Sequence, residues 1–536
     1  MYIIAFTTNF RLLDNYSDAL RLVSQRGGRV EVIAMPWLGD PSSDDVPAGC
    51  DFPVRFRRPF LDFGEEAVAR PALLKIAEEI TRADPDFVLL CNMQSYPSSA
   101  LYSALKEAGF RGKVVGLQHG LHQLWNEYNS NFCADYVFCF GKRHVERLDP
   151  GLRSRAFAVG LPKLDRLRNL PTTNGGYVLF LPQGTPEPEI LNPLLTAYEK
   201  VFGMPVVIHD HPRFPRKYRH TSRFPLPPVL SDSKGWTVID YIKHANLAIT
   251  LHSTAAIEAL YLGKEVLILP NAGMEAFQNY PGIVDGFLPA AMRDAVIQSR
   301  RKRGDVTKFL NEVIGGIRFD HAERVYIALF ALMHQSRWDE TPGEGQESIK
   351  AVSGFPLPLV RTRAALARLV PRGGVAAELG VAQGYFSDEL LRERPDFSLY
   401  SVDRWAGDRG HDDEQFNAAK ALLARHGARS VVVKKTFDEA LADFAPESLD
   451  LVYIDGYAHT GQDSGNTLRR WWSRVKPGGV FAGHDYHPKW GPTIDAVDAF
   501  CRERGLSFRL TIEDEFPSWY VQKPLHGGTG ALESAA

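Results

Sequence analysis

The chain has 536 residues, too many for one core, and at about 150 residues per domain it divides into three or four. Hydrophobic residues at 44% and charged residues at 24% are those of an ordinary globular protein. The 62 basic and 64 acidic side chains leave a net charge of -2, which excludes a chain-wide polyanion-binding surface and, with it, nucleic acid as a partner. Five cysteines, at 50, 91, 133, 139 and 501, form no C-x-x-C pair and read as reduced thiols, neither a disulfide frame nor a zinc site. MYIIAFTTNF reads as a short strand without the basic and long apolar parts of a signal peptide, and no run reaches the ~18 apolar residues of a membrane span. The expected location is cytoplasmic, with room for a peripheral contact at the inner face of the cell membrane. Residues 300–303 (RRKR) read as a solvated helix face, or as a contact for acidic headgroups or a polyanionic glycan.

From the start, short apolar runs alternate with longer segments: YIIAF, RVEVIAM, DFVLLCN and KVVGLQHG, then ADYVFCFG and FAVGL. The runs predict strands, and the segments between them, such as 98–108, place apolar residues at helical spacing. A second series, GYVLFLPQG, PVVIHDHP, LAITLHS and EVLILPN, repeats the pattern. This is the order of βαβ units in parallel sheets. The fold class is therefore α/β, with a pair of Rossmann-like lobes at 1–170 and 171–300 whose ligands sit at the carboxyl ends of the strands.

Four strand-end loops carry chemistry. Gln118, His119 and Gly120 follow VVGL, where a histidine beside a flexible glycine can act as a general base near neutral pH or cap the strand end. His209, Asp210, His211, Pro212 and Arg213 follow VVI, and their imidazoles and guanidinium suit phosphate oxygens. His252, Ser253 and Thr254 precede the helix AAIEALYLG; hydroxyls and free amides at a helix start make an anion site, with Glu258 one turn further in and within reach of sugar hydroxyls. Ser and Thr there are equally ordinary N-caps. The fourth loop, 160–165 (GLPKLD), is a turn at the crossing between the lobes.

QHG after a strand, VGLPKLDRL, the H-P-R loop and ITLHSTAAIEALYLGKEVLIL together resemble the two-Rossmann GT-B glycosyltransferases, above all the capsule-polysaccharide and CDP-glycerol glycerophosphotransferase groups. The resemblance spans about 1–286, with QHGLHQ standing where glycerophosphotransferases tend to carry Trp-His-Gly-Thr. It implies a nucleotide-activated donor (CMP-, CDP- or UDP-linked) held by His211, Pro212, Ser253, Thr254 and Glu258, with Arg213 beside them, and His119 as candidate base. The acceptor it implies is a glycan or glycolipid.

Residues 288–354 read as helices rich in Arg, Ala and Leu that pack back on the first module, followed by the polar run TPGEGQES; the helical segment and linker are set at 301–354. Beyond it VAAELG ends in Gly380, and Gly384 opens an amphipathic segment, predicting strand, glycine turn and helix around a nucleotide-type pocket. Asp403 closes the next strand, SLYSV, where such folds place a carboxylate for ribose hydroxyls. The turn lacks full G-x-G-x-x-G spacing and no Lys-Ser or Lys-Thr pair stands near it, which disfavours pyrophosphate cofactors. SVVVKK then leads to Thr436 and Phe437, LDLVYIDGYAH to Asp455 and His459, and KPGGVFAGHDYH to His484, Asp485 and Tyr486.

These motifs resemble the class I S-adenosylmethionine-dependent methyltransferases, in particular the group marked by E-x-G-x-x-x-G-x-x-S, Y-I-D-G-x-x-x-H and K-P-G-G-x-x-x-G-H-D-Y. A Rossmann-like methyltransferase domain is expected at 355–525, and a disordered tail at 526–536. The resemblance implies S-adenosylmethionine (SAM) as cofactor, with Glu378, Gly380 and Gly384 at its methionine end, Asp403 on its ribose, and Thr436 and Phe437 as further contacts. Asp455, His459, His484 and Asp485 are the implied catalytic groups. In related sugar O-methyltransferases a divalent ion sits on one Asp after the fourth strand and an acidic pair after the fifth. Asp455 and Asp485 match two of those positions and His484 stands at the third, a candidate set for Mg2+ or another divalent cation. Without an ion, His459, His484 or His487 becomes the base. Trp490 and Trp519 offer a sugar-stacking face, or packing.

The expectation is a bifunctional transferase of surface glycan biosynthesis. A SAM-dependent O-methyltransferase module would act on a sugar hydroxyl beside a glycosyl- or glycerophospho-transferase-like module. Two alternatives stay open: the first module is a non-catalytic glycan-docking unit, or the acceptor is a small nucleotide sugar or metabolite.

Overall fold

The computed structural model describes residues 1–35, 52–57, 66–93, 96–121, 133–182, 188–210, 220–231, 233–251, 253–270, 274–285, 289–316, 320–339, 357–406 and 411–525. The chain forms two compact units, Met1–Tyr326 and Ile327–Ala536. The division falls inside a helix, His321–Asp339, ahead of the polar run at 341–348, which lies outside the described residues, as does 526–536.

The first unit holds two parallel sheets. One contains β1 (Tyr2–Thr7), β2 (Arg29–Ala34), β3 (Val54–Phe56), β4 (Phe87–Leu90), β5 (Lys113–Leu117), β6 (Tyr136–Cys139) and β7 (Ala156–Ala158), in the order β3-β2-β1-β4-β5-β6-β7. The other contains β8 (Val178–Leu181), β9 (Val206–Ile208), β10 (Leu247–Thr250) and β11 (Glu265–Ile268), in the order β11-β10-β8-β9. Each run read as a strand is one; β3, a three-residue edge with no fully buried residue, is an addition, since it lacks the apolar content that marks the others. Strands covered on both faces need apolar residues throughout, which is why β4, β8 and β10 are buried at every position.

The second unit is a seven-stranded sheet of β12 (Val375–Leu379), β13 (Ser398–Asp403), β14 (Ser430–Lys434), β15 (Leu449–Ile454), β16 (Val475–Gly483), β17 (Arg509–Leu510) and β18 (Trp519–Gln522). Its order is β14-β13-β12-β15-β16-β18-β17, parallel except where β18 runs antiparallel to β16 and β17. Strand order reverses between β12 and β15, which opens a crevice at their carboxyl ends, the place where open α/β sheets bind ligands.

Candidate active site

The crevice begins at a turn that only particular residues can make. Gly380 has φ +97°, and a Cβ there would lie 2.0 Å from the carbonyl oxygen of Asp455, so β12 and β15 approach one another too closely for any side chain. Gly384, at φ +82°, is the N-cap of the helix Tyr385–Glu393, here α1. Asp403 fastens this turn: its Oδ2 accepts the amides of Val381 and Ala382 at 2.9 and 3.0 Å and meets His411 Nδ1 at 3.1 Å. Among the described residues Oδ1 accepts the Trp405 amide, at 3.3 Å.

Glu378, at the end of β12, is 1% exposed and takes the hydroxyl of Ser387, which in turn lies 2.9 Å from Ser401 Oγ. Burial raises its pKa to about 8, with the Ser387 hydrogen bond opposing and Asp455 adding to the rise. It is neutral at pH 7, which is how a carboxyl group tolerates that position.

Three polar ends meet across the crevice. Asp455 Oδ1, His484 Nδ1 and Asp485 Oδ1 come within 4.8 Å of one another, with His484 Nδ1 3.5 Å from Asp455 and 3.1 Å from Asp485. Asp485 has φ +64°, an uncommon backbone for a non-glycine residue, in the bend directly after β16. Burial disfavours the charge on His484, but the attraction and hydrogen bonds of Asp455 and Asp485 outweigh it and lift its pKa to about 10. Asp455 is held below the usual carboxylate range: burial would raise it, and His484 and then Arg363 reverse that. Arg363 Nη1 donates to Asp455 Oδ2 at 3.0 Å. The site is therefore a chain of alternating charge, Arg363, Asp455, His484 and Asp485. The donor set fits a divalent cation, and its imidazole favours Mn2+ or a softer ion over one demanding oxygen alone. Such an ion would replace the proton now on His484.

The other expected site residues lie around this cluster or have partners of their own. Thr436 caps the helix Phe437–Leu441 through a capping box with Glu439, and the Phe437 ring lies against Gly456 and edge-on to Tyr457 at 5.3 Å. His459 is exposed on the turn Ala458–Thr460 and is no part of the triad. His487 uses Nδ1 to accept the Lys489 amide at 3.1 Å, so that nitrogen caps a turn and is withdrawn from base chemistry. Trp519 is fully buried beneath Gly483, which makes it packing and not a sugar platform, while Trp490 is half-buried.

In the first unit, Gln118 is the residue that shapes the QHG loop. It is fully buried, donates to Gly120 O at 2.9 Å and accepts the Phe140 amide at 2.8 Å, holding His119 at the end of β5, where Asn15 donates to its carbonyl at 3.2 Å. Ser253 is the N-cap of the helix Thr254–Tyr261 and accepts the Ala255 amide at 3.2 Å. Glu258, expected at sugar hydroxyls, is 6% exposed and paired with Lys163 Nζ at 2.5 Å, tying that helix to the crossing segment. His211, Pro212 and Arg213 lie outside the described residues. Sequence reasoning placed Gln118 and Lys163 in their loops without their partners, and it did not reach Arg363, which sits in no motif.

Residues 377–486 match a family model described as a methyltransferase domain. The second unit thus carries a methyltransferase domain, on a Rossmann-like sheet with the crevice, glycine turn and strand-end acids described above. No curated protein matches the chain in sequence. Among solved structures, the chain is similar to UDP-GlcNAc 2-epimerase from Neisseria meningitidis bound to UDP-GlcNAc, at 13% identity over 62% of this chain and 99% of that one, TM-score 0.43. It is also similar to precorrin-6y C5,15-methyltransferase from Geobacter metallireducens, at 17% identity over 30% and 83%, TM-score 0.23. A Streptococcus mutans protein described as a methyltransferase and solved with SAH matches at 13% identity over 30% and 93%, TM-score 0.24. Among the described residues no helix is long and apolar enough to cross a membrane.

Proposed function

We propose that the protein is a SAM-dependent O-methyltransferase acting on a sugar hydroxyl in glycan biosynthesis, with a glycosyl- or glycerophospho-transferase-like module in its first unit. The observation that carries this reading is the triad of Asp455, His484 and Asp485 beside the Gly380 turn, within a segment that matches a methyltransferase domain. Bound SAM supplies a methyl group on a sulfonium, which needs no further activation. The Gly380–Gly384 turn and Asp403 Oδ1 would hold it. The protein's remaining task is to set an oxygen in line and receive its proton. With its pKa near 10, His484 is already protonated at pH 7, so the proton-accepting group is the Asp485 carboxylate, with His484 stabilising the negative charge that it carries. If a divalent cation occupies the triad, Asp455, His484 and Asp485 are its ligands and it would acidify the bound hydroxyl.

A second reading, favoured by a specific observation, makes the first unit a glycan-docking module. The Ser253 hydroxyl caps a helix and Glu258 is neutralised by Lys163, so two groups expected on a donor are committed to the fold. Full-length protein incubated with labelled SAM and a panel of glycans and nucleotide sugars tests the methyl transfer; no transfer to any hydroxyl, with SAH binding absent, would sink the proposal. CMP-, CDP- or UDP-linked donor turnover by the same protein would decide against docking.

A further inference from the structure

Arg363 stands just before β12, at the start of the short 3-10 helix Arg363–Leu369, and the fold takes trouble to fix it. Its amide donates to Asp514 Oδ2 at 2.7 Å, and the amides of Ile512 and Glu513 donate to the carbonyl of its neighbour Arg361 at 3.0 and 2.8 Å. Upstream, the Val360 amide donates to Tyr520 Oη at 2.9 Å, and that hydroxyl donates to Pro358 O at 3.0 Å. The strand-like strap 358–363 is therefore tied to 512–520 along its length, and the guanidinium is delivered to one place. That place is the crevice where strand order reverses. Its carbon lies 4.2 Å from the centre of the Phe386 ring, at the second residue of α1, and Nη1 is 3.0 Å from Asp455 at the end of β15. The side chain keeps 28% of its surface open. A guanidinium has five donors in a planar fork suited to a carboxylate; Asp455 takes one and the Tyr453 hydroxyl engages the group as well.

Resting on the methyltransferase reading above, we propose that Arg363 binds the carboxylate of the methionine moiety of SAM. The charges sort accordingly. Asp455 suits the ammonium of that ligand, whose single carboxylate sits on the same carbon and needs a cation beside it. Arg363 supplies it, stacked on Phe386 and already oriented, so little entropy is lost on binding. The Gly380–Gly384 turn leads from β12 into α1, so Phe386 and the guanidinium on it stand directly after that turn.

The test compares two nucleosides on full-length protein by isothermal titration: SAH, and S-adenosyl-3-thiopropylamine, which keeps the ammonium and lacks only the carboxylate. Wild type is expected to bind SAH at least tenfold more tightly than the amine. In Arg363→Met that preference disappears, SAH falling to the affinity of the amine, which itself is unchanged. Arg363→Lys, which keeps charge and loses the fork, restores part of the preference and guards against a variant that fails to fold. Equal weakening of both nucleosides, or of neither, overturns the assignment, as does unchanged SAH binding with lost affinity for an acidic acceptor. A wild type that binds neither nucleoside defeats the methyltransferase reading itself, an outcome distinct from the others.

Discussion

The strand-end loops of the two units use the same residue types to different ends. In the first unit three polar groups at these ends serve the fold: Gln118 staples a loop, Ser253 caps a helix, and Lys163 neutralises Glu258. In the second, His484 stands 3.5 Å from Asp455 and 3.1 Å from Asp485, Arg363 holds Asp455, and the pKa of His484 is lifted to about 10. Neutral caps and single ion pairs satisfy groups locally and leave nothing over. A network of alternating charges gathered at strand ends, with the pKa of one member moved by several units, is the arrangement that functional sites favour.

The largest effect expected from this difference is at the triad. Asp485→Asn removes a proton-accepting carboxylate and should lower methyl transfer by a factor on the order of 10²–10⁴, with SAH affinity within about threefold of wild type. If transfer survives, the cluster is not the reacting site and the contrast between the units collapses. Metal involvement sharpens the same point. An ion must displace the His484 proton, so its apparent affinity should rise with pH up to about 10 and fall below it. Methyl transfer indifferent to EDTA and to added Mn2+ at pH 9 would remove the ion from the scheme.

Next comes the pair that closes the first unit. Lys163→Met leaves Glu258 buried without its cation and should cost about 3 kcal/mol, read as a lower melting transition for the first unit. Saturating SAH identifies that transition, because it shifts only the other one. Unchanged stability with weakened binding of a nucleotide would mean that Glu258 serves a donor after all, and the first unit would join the second as a site.

How much of this could be read in advance depends on whether a residue's role is local. The strands were legible because a buried parallel strand must be apolar throughout, and Asp455, His484 and Asp485 because each terminates such a run. Arg363 was not, since its partner is 92 residues away and nothing in PLPLVRTR sets it apart. Glu378 and Trp519 carried motif-like signals, but their burial depends on Ser387 and on the space above Gly483, which only the packed sheet defines. β3 escaped because an exposed edge of three residues needs no apolar pattern.

Glu378→Gln gives a third, pH-resolved test. The folded carboxyl titrates near 8 against 4.5 for the free group, because burial disfavours its anion. Below pH 4.5 both folded and unfolded forms are protonated and the term is fully favourable. As pH rises toward 8 the unfolded chain loses its proton first, so the second unit loses stability, by roughly 2–4 kcal/mol across the window. The glutamine variant lacks this loss. It should equal wild type near pH 4.5 and exceed it at pH 8 in urea titrations; parallel curves at both values would place Glu378 in contact with water.

The smallest effect discriminates most finely between the units. Ser253→Ala deletes the hydroxyl that accepts the Ala255 amide at 3.2 Å, leaving one first-turn donor of a helix of eight residues without its side-chain acceptor. Loss of an N-cap costs about 1 kcal/mol, so the first-unit transition should fall by a few degrees, with nucleotide affinity unchanged and methyl transfer untouched. Ser253→Asp, which can cap equally well but adds a negative charge, should restore the melting point. A phosphate bound at the same helix start would be repelled by that carboxylate. If the aspartate variant recovers stability but loses UDP or CDP binding by tenfold or more, the hydroxyl serves a donor as well as the helix, and the first unit's loops are a site whose chemistry overlaps with its capping.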